Sequence, residues 1–373
     1  MSREEAQRSI AQLAHSVPVE WYDFLNLSSA FFVLGHTDLA LLNARRALAM
    51  IRNPMTLLNL AVILETLGGF YPAFSLSEEA YALDPSNSFV RTHYSDALLR
   101  MGRLAEAWPI YADSHANWGF LRNVMHEWDG VAPLRGKRIL VLSGGGYGDN
   151  FLHLRWMPRL ADLGATVTYM CPPSMHSLLR GTLGISHLIA GSVAGLEGML
   201  LPSDYDYFTC VLSLARYFCP TVEDIPVAPY IHVNAKDRIA RVGLCTRAGE
   251  EKFPRRHRSL SIAQSERIES AMPDTWMSLD YEDIGHDITW GTTAALIASL
   301  DLVITVDTGV AHLAGALGVP AWVILPGISA AYYGVTGEHC AFYPSHRLFR
   351  NFGEGIDNSV ADVCAALASW RPQ

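Results

Sequence analysis

The stretch from Lys137 to Trp156 sets the tightest constraint on this chain. An apolar, β-branched run, Ile139-Leu140-Val141-Leu142, breaks at Ser143 into Gly144-Gly145-Gly146-Tyr147-Gly148-Asp149-Asn150, and Phe151-Leu152-His153-Leu154-Arg155-Trp156 follows with helical spacing. That order predicts a buried strand, a tight turn and a helix N-terminus, the opening of a Rossmann-like unit. Glycines let the backbone approach a ligand closely, and Asp149 is delivered to the crevice beyond the carboxyl end of the strand, where open α/β sheets bind ligands. The sequence before this stretch reads as all-helical, and the sequence after it reads as α/β.

The helical part repeats. Leu34-Gly35, Leu67-Gly68 and Met101-Gly102 recur at steps of 33 and 34 residues, and Ala40, Ala73 and Ala107 keep the same step, as do Ala44, Ser77 and Tyr111. A helix–turn–helix period of 34 with small residues at the helix crossing is the tetratricopeptide pattern, and Leu83-Asp84-Pro85 supplies a repeat-ending proline turn. Three repeats from about Leu25 to Ser114, preceded by a helix around Glu4 to His15, give a repeat domain over residues 1–117. Such units stack into a solenoid with a concave groove that takes a peptide or protein; the plainer readings are a spacer or a dimerisation module.

Two α/β halves follow, over residues 118–233 and 234–373. Trp118 and Trp128 in the bridge are expected to pack the solenoid onto the first half. That half continues with strands at Thr166–Met170, His187–Ile189 and Tyr207–Val211 and a helix near Ser174–Arg180, and the proline-rich run Pro220–Pro229 marks the crossing. The second half opens with a strand at Arg241–Cys245, then a basic loop, a strand at Thr275–Leu279 and a helix at Thr292–Ser299. Leu302-Val303-Ile304-Thr305-Val306-Asp307-Thr308-Gly309-Val310-Ala311-His312 is again strand, tight turn and helix, with Gly318 as helix stop and a strand at Trp322–Leu325. A final helix spans Ser359–Trp370.

Composition removes several classes of function. A hydrophobic content of 50% against 17% charged residues excludes a disordered chain. A net charge of −9 argues against a nucleic-acid partner, so any phosphate site must be a local cationic cluster. The six cysteines contain no Cys-x-x-Cys pair, which argues against a zinc site or a disulfide framework and fits a reducing cytoplasm. No signal-peptide core and no apolar run of about 18 residues is present, so no membrane span is expected. The glycine loop lacks the third glycine of the dinucleotide fingerprint, and the following strand ends in Met170-Cys171 rather than an acid, which argues against NAD; a G-x-x-x-x-G-K-[ST] loop is absent as well.

The remaining motifs each admit two readings. Asp149 is either the N-cap of a helix starting at Phe151 or a general base taking a proton from an incoming hydroxyl. Thr308 either simply caps its helix, or the Asp307-Thr308-Gly309 turn presents backbone N–H groups to a diphosphate. The loop Lys252–Arg258 packs four Lys/Arg and His257 into seven residues of an acidic chain, as a solvated loop or as a phosphate clamp. His153 and His312 lie one turn into their helices, as buried structural histidines or site residues.

Together these motifs resemble glycosyltransferase family 9, which contains the ADP-heptose lipopolysaccharide heptosyltransferases. With the repeats in front, the chain resembles bacterial tetratricopeptide–glycosyltransferase proteins. The resemblance rests on the glycine–Asp149 turn, the arginine-rich loop ending in Arg258-Ser259-Leu260, and Asp307-Thr308-Gly309-x-x-His312-Leu313 with Gly315-Ala316-Leu317-Gly318-Val319-Pro320. It implies a GT-B fold of two Rossmann-like halves and inverting, metal-independent transfer from a nucleotide-diphosphate sugar, which is a co-substrate rather than a cofactor. Asp149 matches the family's catalytic base. The donor-site matches are Gly146, Gly148 and Asn150 in the first turn, Thr246, Arg247, Arg255, Arg256 and Arg258 in the basic segment, and Asp307, Thr308, Gly309 and His312 in the second turn. The chain departs from the family at Pro326–Gly334, where many relatives carry a tryptophan-rich acidic segment, and at Thr246-Arg247-Ala248-Gly249. The expected acceptor is a protein recruited by the repeats. The rival readings are a glycolipid or lipopolysaccharide acceptor with the repeats serving only assembly, and a scaffold whose α/β part no longer turns over; a homo-oligomer is compatible with each.

Overall fold

The computed structural model of the chain describes residues 1–14, 18–114, 121–191, 202–227, 229–235, 237, 240–249, 258–272, 275–285, 288–353 and 356–371. The helical region begins with α1 (Arg3–Ala14) and continues as three antiparallel helix pairs: α2 (Trp21–Leu34) with α3 (Thr37–Met50), α4 (Pro54–Thr66) with α5 (Phe70–Leu83), and α6 (Ser88–Arg100) with α7 (Leu104–Ser114). The turn within each pair contains one of the recurring glycines. Gly35, Gly68 and Gly102 have φ of 89°, 81° and 74°, left-handed values at which a side chain would be strained. Asn53 and Asn87 start the next pairs, each accepting two backbone N–H groups with its side-chain oxygen. Ala40, Ala44, Ala73 and Ala107 are fully buried, so the helices cross at close range.

The first α/β half is built on β1 (Arg138–Leu142), followed by α8 (Tyr147–His153), α9 (Met157–Asp162), β2 (Thr166–Cys171), α10 (His176–Leu179), β3 (Ile185–Ala190), β4 (Tyr207–Cys210) and α11 (Leu214–Phe218). Its strands are parallel in the order β3-β2-β1-β4, with Ile139 opposite Val167 on one side and Tyr207 on the other. The second half contains β5 (Val242–Cys245), α12 (Ile262–Glu269), β6 (Trp276–Ser278), α13 (Tyr281–Ile284), α14 (Trp290–Ile297), β7 (Leu302–Val306), α15 (Gly309–Leu317), β8 (Ala321–Leu325), β9 (His339–Cys340), β10 (Tyr343–Arg350) and α16 (Asp357–Ser369). Its sheet order is β6-β5-β7-β8-β10-β9, parallel except for the β9 edge. Four of the five residues of β1 and all five of β7 are buried, as expected of central parallel strands covered on both faces.

One continuous core runs from the last helix pair through both halves. Of the two bridge tryptophans, Trp118 lies outside the described residues. Trp128 packs on Tyr217 and Phe218 within the first half. The helical region is joined instead by Trp108 and Tyr111 of α7. Trp108 is buried against Trp156 of the first half and Phe342 of the second. Further along the same seam, Arg100 donates to the Ser329 carbonyl at 3.2 Å and Thr66 accepts the Gly353 N–H at 2.8 Å. A buried arginine ties the halves together: Arg155 donates to the carbonyls of Leu152, Phe342 and Pro226 and lies over the Tyr343 ring.

Candidate active site

A cavity of about 680 Å³ lies between the two halves, at the carboxyl ends of β1, β5 and β7. The halves meet around it. Helix α8 packs on α15, α10 packs on α14, and Ser177 donates to Thr289 across the seam at 3.0 Å.

The first wall is the glycine turn. Gly145 adopts φ of 64°, which turns the chain sharply, and α8 then starts at Tyr147. Asp149 is therefore the third residue of α8 and does not cap a helix from Phe151. Its Oδ2 accepts the Gly146 N–H at 2.9 Å, and its Oδ1 accepts the Tyr332 hydroxyl at 3.2 Å. The reason is local: Gly146 is extended and carries no side chain, so the carboxylate three residues on reaches back to its N–H. Asn150 turns inward and does not line the cavity. Its amide donates to the carbonyls of Gly144 and Gly146 and its oxygen accepts the Tyr169 hydroxyl, so it braces the loop from beneath. Gly148 lines the cavity and lies against the His312 ring, where a Cβ would stand 2.5 Å from Cδ2.

The second wall follows β5. Asp280 is buried and accepts the Thr246 N–H at 2.9 Å, the Thr246 hydroxyl at 2.6 Å and the Arg247 N–H at 3.0 Å. Thr246 is thus committed to holding the loop, whereas the Arg247 side chain reaches the cavity and pairs with Glu282 at 3.5 Å. Arg258 also lines the cavity and donates to the Asp307 carbonyl at 3.1 Å. Arg255 and Arg256 lie outside the described residues. Cys245 reaches the cavity too, and burial pushes its thiol up to about 12, so it stays protonated and is no nucleophile near neutral pH.

The third wall is the turn after β7. Thr308 caps α15 by accepting the Val310 N–H at 3.0 Å, while the first turn of the helix, with Thr308 and Gly309, faces the cavity. Asp307 is buried and accepts the Ala330 N–H at 3.0 Å. His312 shares a hydrogen bond of 3.0 Å between Nδ1 and the Tyr343 hydroxyl and packs among Tyr332, Tyr333 and Tyr343. His153, the last residue of α8, is fully buried, with Nδ1 at 2.8 Å from the Asp149 carbonyl, and does not line the cavity.

Of the expected site residues, Gly146, Gly148, Asp149, Arg247, Arg258, Asp307, Thr308, Gly309 and His312 are therefore brought to one cavity. Sequence reasoning missed Asp280, Tyr281, Trp290 and Tyr332. Asp280 carried a usable signal, an acid directly after a predicted strand; Tyr332 carried none. Among the described residues no cluster of three His, Cys, Asp or Glu could hold a metal ion, and no helix is long and apolar enough to cross a membrane.

The model of glycosyltransferase family 9 (heptosyltransferase) matches residues 288–324, which span α14, β7, the Asp307-Thr308-Gly309 turn, α15 and most of β8. No curated protein matches the chain. Among solved structures, the chain is similar to a family 9 glycosyl transferase from Veillonella parvula, with 12% identity over 64% of this chain and 98% of that one and a TM-score of 0.43. It is also similar to the ADP-heptose lipopolysaccharide heptosyltransferase II of E. coli, with 15% identity over 62% and 98% of the two chains and a TM-score of 0.42. A mutant O-GlcNAc transferase from Thermobaculum terrenum aligns over 99% of this chain and 88% of that one, with 13% identity and a TM-score of 0.36. The family match supports a glycosyltransferase.

Proposed function

We propose that this chain transfers a sugar from a nucleotide-diphosphate sugar to an acceptor hydroxyl, with inversion and without a metal. The observation that carries the reading is that the Asp149 carboxylate and the N-terminus of α15 line one cavity, with Arg247 and Arg258 beside them. The two poles match the two charges of the reaction. Asp149 takes the proton of the acceptor hydroxyl as its oxygen attacks the anomeric carbon. The bond from that carbon to the diphosphate breaks, and the negative charge left on the nucleoside diphosphate meets the N–H groups at Thr308 and Gly309 and the two guanidinium groups. A volume of about 680 Å³ falls within the usual size of small-molecule sites.

The helical pairs, read as tetratricopeptide repeats, present the acceptor, which we take to be a protein, and the reaction is placed in the cytoplasm. The test is calorimetric binding of ADP, GDP and UDP, together with release of nucleoside diphosphate from the corresponding nucleotide sugars. Saturable binding of one nucleotide is expected, weakened about 10-fold to 100-fold by Arg258→Ala, since a charge-assisted contact contributes about 1.5–3 kcal/mol. Asp149→Asn is expected to bind equally well and to lose about 100-fold or more of the release rate. Absence of binding across the panel overturns the reading in favour of an inactive scaffold.

A further inference from the structure

The segment Pro326–Gly334, where the sequence departs from the resembled family, is the one that touches both acidic groups of the site. Its Ala330 N–H holds Asp307, and its Tyr332 hydroxyl holds Asp149. The segment is itself clamped by the helical region. Arg100 of α6 takes the Ser329 carbonyl, and Gly327 lies so close to the Thr66 carbonyl of α4 that a Cβ would stand 2.6 Å from its oxygen. The Tyr111 hydroxyl of α7 stands 2.5 Å from that of Tyr332. Tyr111 also stacks on His153, one turn beyond Asp149 on α8, at 5.8 Å and 12°.

We propose that Tyr332 and Tyr111 are positioning residues that fix the rotamer and the acidity of Asp149, which makes the helical region part of the reaction centre rather than only an acceptor arm. An ionised carboxylate only accepts, so Tyr332 spends its single proton on Asp149 Oδ1, and Tyr111 must then donate to the Tyr332 oxygen. With Gly146 N–H on Oδ2 and the Tyr332 hydroxyl on Oδ1, both carboxylate oxygens are held and the rotamer is set. Burial raises both the Tyr332 and Tyr333 hydroxyls well above their ordinary range, so both remain protonated at neutral pH. Chains of hydrogen bonds in a poorly solvated site polarise one another, so the second tyrosine strengthens the first.

The catalytic meaning of this pair rests on Asp149 being the base, but its physical effect can be read without any substrate. In protein labelled with carbon-13 at the aspartate carboxyl, the Asp149 resonance is assigned by its loss in Asp149→Asn, and its titration midpoint is measured. Losing a donor to the charged form raises a carboxyl pKa. Tyr332→Phe is expected to raise the midpoint by about one pH unit, a tenfold change in proton affinity. Tyr111→Phe is expected to raise it by less, and Tyr333→Phe to leave it in place. The other groups facing this centre are His153 on α8, His312 on α15, Asp307 and Arg258 at the second turn, Asp96 on α6 and Tyr147 at the cavity wall. All are common to the three variants, so differences among the variants report the hydroxyls. An unmoved midpoint in Tyr332→Phe, or an equal rise in Tyr333→Phe, overturns the proposal; should Tyr332→Phe not fold, the Tyr111→Phe midpoint decides in the same way. With a donor nucleotide sugar in hand, the acidic limb of kcat should follow the carboxyl midpoint while KM for the donor holds. A shifted midpoint without turnover of any nucleotide sugar would keep the hydrogen-bonded pair and overturn the transferase reading alone.

Discussion

Gly148→Ala probes how tightly the two halves must close. At Gly148 a Cβ would lie 2.5 Å from His312 Cδ2 and 3.2 Å from Nε2. Carbon atoms in contact sit about 3.5–4.0 Å apart, so about 1 Å must open. His312 has nowhere to go, since Tyr343 holds its Nδ1 and Tyr332 and Tyr333 pack against its ring. The displacement therefore falls on α8, whose next residue is Asp149. Overpacking of a rigid site costs about 3 kcal/mol, the upper end of the usual range. Glycine-to-alanine replacement inside a helix contributes about 1 kcal/mol in the opposite direction. The net expectation is a loss of about 2 kcal/mol in urea unfolding followed by tryptophan fluorescence, and a fall of up to about 100-fold in nucleoside-diphosphate release from a 1 Å misplacement of Asp149, the proposed base. In a His312→Ala background the clash is gone, and the same change should stabilise by about 1 kcal/mol. Stabilisation in both backgrounds would refute the steric argument.

Two further outcomes follow from buried cations and imidazoles. His346 is buried against Tyr343, and burial lowers it from 6.5 to about 3. The folded protein leaves it neutral while the unfolded chain protonates it below about 6.5, so its contribution is full above that pH and is lost as pH falls toward 3, by about 1.4 kcal/mol per pH unit. Between pH 7 and 4.5 that is a loss of about 2.5 kcal/mol, which His346→Phe should remove from the difference between urea titrations at the two pH values. Arg155→Ala leaves the carbonyls of Phe342 and Pro226 without their donor and opens a void beside Tyr343; a loss of about 3 kcal/mol is expected in the same unfolding measurement.

What could be read from the sequence was what local chemistry decides. Gly35, Gly68 and Gly102 announced the three helix pairs because each turn needs a left-handed residue. The runs ending at Leu142 and Val306 announced the two site-forming strands because apolar, β-branched runs broken by glycine have few other uses. Strand β10 escaped because Tyr343-Pro344-Ser345-His346-Arg347 alternates in no regular way, and its place in the sheet comes from pairing with β8 rather than from its own pattern. That Asn150 and Thr246 stand back from the cavity was not legible either, for a related reason. Both are polar and next to the right motif, yet each is also tied to a side chain distant in sequence: the Asn150 oxygen accepts the Tyr169 hydroxyl, and the Thr246 hydroxyl donates to Asp280. The contact between Tyr111 and Tyr332 spans 221 residues and had no local signature at all.

That contact also changes what truncating the chain would mean. A helical module attached only through a linker could be removed without touching the chemistry. Here α7 places Trp108 in the core shared by both halves and Tyr111 within hydrogen-bonding distance of the residue that holds Asp149. Removing the helices would strip buried aromatic surface from each half and release the Ser329–Tyr332 segment that restrains both carboxylates. A loss of activity on deletion would then report the collapse of the site and say nothing of acceptor choice. Acceptor choice has to be tested with substitutions on the exposed helix faces away from this seam, such as at Tyr22 or Tyr71, which leave the Trp108–Tyr111 docking intact.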